Sequence, residues 1–121
     1  MKIKTNELTE DKLGFVVALL EYPEWKEQGY LESTHDLYFD DGEHYAPWKN
    51  WAQAGPIIER NWLHLTTYND HWVGQIADDV PDGYHYAEGE TPLIAAMRCY
   101  VASKLGDEVE IPDELTEGVM A

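Results

Sequence analysis

Trp62-Leu63-His64-Leu65-Thr66-Thr67-Tyr68, followed by Asn69-Asp70 and then His71-Trp72-Val73-Gly74-Gln75-Ile76, sets the class of architecture. Two runs of alternating character, rich in aromatic and β-branched residues, are separated by two residues suited to a tight turn, which is the pattern of a β-hairpin. A two-residue connection leaves one register, in which Leu63 faces Ile76, Leu65 faces Gly74 and Thr67 faces Trp72. That side is expected to lie against helices. The other side carries Trp62, His64 with Gln75, Thr66 with Val73, and Tyr68 with His71, a half-polar face open to solvent or a ligand.

Downstream, a further strand is expected near Tyr84 to Ala87, and then Thr91-Pro92 opens a helix that Gly106 closes. Threonine caps, proline suits the first helical position and glycine suits the turn after the last one. Leu93, Ile94, Met97, Val101 and Leu105 form one stripe, while Ala95, Ala96 and Ala102 permit close approach to strands or another helix. Upstream, Thr9 precedes a helix over about Glu10 to Tyr22, with Leu13, Val16, Val17 and Leu20 at helical spacing and Pro23 at its end. Asn50 caps a shorter helical stretch to about Arg60, in which Gly55-Pro56 is expected to mark a break and restart. Leu37-Tyr38-Phe39 and His44-Tyr45 flank Asp40-Asp41-Gly42 as a small second hairpin. The whole reads as α+β: a small antiparallel sheet of three to five strands, including hairpin 62–76, packed by an N-terminal and a C-terminal helix. Residues 1–106 are expected to form one domain, and residues 107–121 a solvated acidic tail.

With 121 residues, 44% hydrophobic and 12% aromatic, the chain can bury a core despite a net charge of -16. Twenty-four acids against eight Lys and Arg disfavour direct nucleic-acid binding and attachment to anionic membrane. Between Arg60 and Arg98 there is no Lys or Arg, whereas Asp70, Asp78, Asp79, Asp82, Glu88 and Glu90 fall inside that interval. Cys99 is the single cysteine, so no intrachain disulfide can form and a reducing cytoplasm is the expected compartment. No apolar run approaches the roughly 18 residues of a membrane span.

The residues offer little for catalysis or metal binding. His64 and His71 share the outer hairpin face but lie roughly 13 Å apart along it, too far for one ion. His44 and His85 recur in an echoed hexapeptide, Asp41-Gly42-Glu43-His44-Tyr45-Ala46 and Asp82-Gly83-Tyr84-His85-Tyr86-Ala87, which makes them the candidates for a shared pocket. Cys99 stands in a helix, apart in sequence from every histidine. No metal, cofactor or catalytic residue is therefore expected. The tryptophans are the better functional candidates, because an aromatic anchor ringed by acids suits a basic groove. One or both of Trp48 and Trp62 are expected to be partly exposed, and Trp48, Trp62, Asp78, Asp79 and His85 make up the candidate binding residues.

Asn50-Trp51-Ala52-Gln53-Ala54-Gly55-Pro56-Ile57-Ile58-Glu59-Arg60, together with Glu90 to Leu115, resembles the NinX-like proteins encoded in the nin region of lambdoid bacteriophages and in prophages. The resemblance covers about a third of the chain. It implies an accessory phage or prophage protein acting in the bacterial cytoplasm, and it carries over no catalytic residue, since the family's biochemical function is unknown. The expected partner is a host or phage protein with a basic surface, engaged without catalysis by a surface that could mimic nucleic-acid phosphates. A small-ligand protein or enzyme with a His/aromatic pocket and a self-associating module, as a homodimer, are the alternatives.

Overall fold

The computed structural model describes residues 2–77 and 83–111. Helix α4, Pro92–Leu105, is its organising element: the Thr91 hydroxyl accepts from the Ile94 amide, Pro92 opens the first turn, and Gly106 leaves it at a positive φ of 89°. Eight of its residues are buried, on more than one side. A helix apolar all round must be enclosed. On one side α4 meets strands β2 (His64–Tyr68), β3 (His71–Ala77) and β4 (Tyr84–Gly89), and on another it meets α1 (Glu10–Glu21) and α3 (Trp51–Arg60).

The three strands form an antiparallel sheet in the order β2-β3-β4. Leu65 pairs with Gly74, Thr67 with Trp72 and Tyr68 with His71, and Asn69 takes the positive φ, 55°, that a primed two-residue turn requires. Small residues bring α4 close to the sheet: a Cβ on Gly89 would lie 2.5 Å from the Ala95 amide nitrogen, and one on Gly74 would lie 3.0 Å from the Ala95 carbonyl oxygen. Arg98, half-buried, ties this layer to the N-terminal segment by donating to the carbonyls of Leu8 and Glu88, each at 2.8 Å. Desolvation lowers its pKa from the ordinary arginine value.

Behind α4, α1 buries Leu13, Phe15, Val16 and Val17. The hydroxyl of Thr9 makes no capping bond, contrary to expectation; its carbonyl accepts from Lys12 and Leu13 instead. Pro23 does not simply end α1 but opens a second short helix, α2 (Pro23–Glu27). Beyond it Tyr22, Trp25, Phe39 and Tyr45 gather into one aromatic cluster, with Tyr22 stacked on Trp25 at 4.3 Å and the other pairs edge-on. The Tyr38–His44 bridge closes the small second hairpin around Gly42. Helix α3 differs from expectation in running unbroken through Gly55-Pro56. A residue before proline normally leaves the helical region because its Cβ meets the proline ring, and Gly55 has no Cβ.

The C-terminal segment also departs from the sequence reading. Residues expected to begin a solvated tail instead form β5 (Glu108–Glu110), which pairs with β1 (Lys2–Lys4) and buries Val109, and Ile111 is buried after it. Lys2 opposes Glu110 and Lys4 opposes Glu108, so opposite charges face each other across the ribbon while Ile3 meets Val109. The remainder of the expected tail lies outside the described residues.

Candidate functional site

The sheet covers α4 with one face and leaves the other open. Alternation sends Leu63, Gly74, Ile76, Ala87 and Gly89 inward, where all are buried. The opposite side carries His64, Thr66 and Tyr68 on β2, His71, Val73 and Gln75 on β3, and Tyr84, Tyr86 and Glu88 on β4. Tyr68, Tyr84 and Tyr86 are each more than 60% exposed. His71 sits edge-on to Tyr68 and places its Nε2 3.6 Å from a Glu88 carboxylate oxygen. The result is a platform of tyrosines and imidazoles with few charges of its own.

At the corner where α3 passes into β2 stands Trp62, 85% exposed with a φ of 52°. The Trp62 amide donates to the Glu59 carbonyl and the Leu63 amide to the Ile58 carbonyl, which is the double bond of a Schellman helix end. Trp62 thus occupies the left-handed position that glycine favours, and a bulky residue there costs on the order of 1–2 kcal/mol. Its ring gives little packing in return, since it projects into solvent. With Ile58, Glu59, Arg60, Leu63 and His64 it borders an open hollow of about 620 Å³.

The other expected site residues are placed differently. Trp48 is a correction: it is 7% exposed, because Gly14 in the middle of α1 lacks the side chain whose Cβ would lie 2.3 Å from the Trp48 ring. Trp51, one of the five candidate tryptophans but not one of the two expected to be exposed, is the tryptophan exposed nearby. His85 lies on β4 opposite Ile76, on the side facing α4, and its carbonyl accepts a hydrogen bond from the Cys99 thiol at 3.3 Å. Asp78 and Asp79 lie outside the described residues. His44, in the segment before α3, stacks on Tyr38, meets Trp48 edge-on and approaches Asp11 at 3.7 Å, while His85 lies on β4.

The basic residues nearest this region serve the fold. Arg60 donates to Glu21 at 2.6 Å, and the Tyr100 hydroxyl donates to the same carboxylate oxygen. Burial, followed by the Glu21 contact, raises the Tyr100 pKa from its ordinary 10.0. Cys99 is enclosed, and burial pushes its thiol up to about 12. Among the described residues, no group of three or more His, Cys, Asp or Glu side chains could hold a metal ion, and no helix is long and apolar enough to cross a membrane.

No curated protein matches the chain. The family model described as Bacteriophage P22, NinX matches residues 4–104, which takes in α1, the aromatic cluster, the hairpin and nearly all of α4 but not β5. With most of its length inside that match, the chain belongs to the phage NinX family.

Proposed function

We propose that this NinX-family protein is a non-enzymatic accessory factor that binds a host or phage protein of basic surface, with Trp62 as the anchor and the open sheet face beside it as the contact platform. The observation that carries this reading is the combination at Trp62: a large aromatic ring, 85% exposed, held at a positive φ where glycine would fit at lower cost. Strain kept at an exposed position points to a use for the side chain. Tryptophan is also the residue most often found to dominate binding energy at protein interfaces.

Charge supports the choice of partner. The net charge of -16 and the acidic interval from Asp70 to Glu90 steer a basic surface toward the platform, whose tyrosines then exclude water. Proteins that handle nucleic acid carry such surfaces, and the carboxylates would meet them as phosphates do.

Affinity capture of partners from phage-infected bacterial cells, at low and high salt, tests this reading. One basic protein retained at low salt and released at high salt is expected, and Asp78→Lys with Asp79→Lys should weaken its retention. A complex indifferent to salt and to that charge reversal would refute the electrostatic part of the proposal.

A further inference from the structure

The two edges of the three-stranded sheet are treated differently. On β4, the outward-facing backbone of Glu88 is occupied: its amide donates to the Asn6 side chain and its carbonyl accepts from Arg98. On β2, the hairpin register makes Tyr68–His71 and Thr66–Val73 the hydrogen-bonded pairs, so Leu65 and Thr67 turn their amides and carbonyls away from β3. No strand lies beyond β2 among the described residues, and the Thr67 carbonyl meets only the neighbouring Thr66 hydroxyl, at 3.3 Å. Exposed edges in natural sheets are usually protected by lysine, proline, a bulge or extreme shortness. His64-Leu65-Thr66-Thr67-Tyr68 has none of these over five residues, and no formal charge, in a chain of net charge -16.

We infer that β2 pairs antiparallel with β2 of a second copy of this chain, joining two sheets into one of six strands. The edge is self-complementary about a two-fold axis at Thr66. Leu65 of each copy exchanges both backbone hydrogen bonds with Thr67 of the other, giving four bonds in all. Across the open face His64 then lies opposite Tyr68 of the second copy, and Thr66 opposite Thr66. No like charges meet in the strand register. The inference does not rest on Trp62, and its salt dependence has the opposite sign to that of a basic partner: two chains of net charge -16 repel, so added salt strengthens their association.

Sedimentation velocity of the full chain over a range of concentrations, at low and high salt, is the test, with amide hydrogen exchange on the same samples. The expected result is a dimer favoured by salt, with Leu65 and Thr67 amides gaining protection as concentration rises. Two variants probe the edge without touching the hairpin ladder. Thr66→Lys sets like charges against each other at the axis, and Thr67→Pro removes an amide that faces outward; each raises the dimer dissociation constant by at least about tenfold while the circular dichroism melt of the monomer persists. A chain that stays monomeric at every concentration and salt, or a dimer that both variants leave intact, overturns the inference.

Discussion

Trp62 and Gly14 show how single positions trade backbone comfort against side-chain placement. At Trp62 the backbone is strained and the ring is bare, so Trp62→Gly should raise the unfolding free energy by about 1 kcal/mol relative to Trp62→Ala, which keeps the unfavourable φ. Chemical denaturation of the two variants measures this directly. At Gly14 the sign reverses. Alanine would gain about 1 kcal/mol in helix propensity, but its Cβ would lie 2.3 Å from the enclosed Trp48 ring. Overpacking of that kind costs about 1–3 kcal/mol, so Gly14→Ala should lower the melting temperature rather than raise it.

At the scale of elements, α4 carries two groups, Cys99 and Tyr100, whose neutral forms the fold favours, and Tyr45 behind it is also held above its ordinary 10.0. A folded-state pKa above the unfolded one means that the native chain keeps its proton while the unfolded chain loses it. Stability is therefore complete below about pH 9 and falls as pH rises from the ordinary thiol value of 9.0 toward about 12. Thermal melts across that range should show the decline, and Cys99→Ala should make it shallower. For the same reasons of burial and protonation, Cys99 should resist thiol reagents near neutral pH until the protein is denatured.

The elements that could be read from the sequence are those whose signals are local. The hairpin was legible because Asn69-Asp70 permits one register, and α4 because Thr91, Pro92 and Gly106 agree on its limits. Pro56 misled because the glycine before it removes the usual clash. β5 was hidden because its signal is the match of Lys2-Ile3-Lys4 to Glu108-Val109-Glu110, which are more than a hundred residues apart in sequence. The same distance problem affected the site. Exposure of Trp62 could be expected from its place beside the hairpin, but its positive φ depends on where α3 ends, and burial of Trp48 depends on a glycine in another helix.

For the whole molecule the net charge of -16 governs behaviour, and two of its few basic side chains, Arg60 and Arg98, are committed to Glu21 and to backbone carbonyls. Self-repulsion on that scale opposes the folded state at low ionic strength, so the melting temperature should climb with added salt, as differential scanning calorimetry would show. Association with a basic partner should weaken over the same range. The central claim is that Trp62 is kept for binding rather than for folding, and the most direct measurement compares Trp62→Gly with the unaltered chain for stability and partner capture together. The account predicts a variant that melts at the same temperature or higher and retains no salt-sensitive basic partner. A variant that captures the same protein as the unaltered chain, or that loses it only because it no longer folds, would contradict the claim.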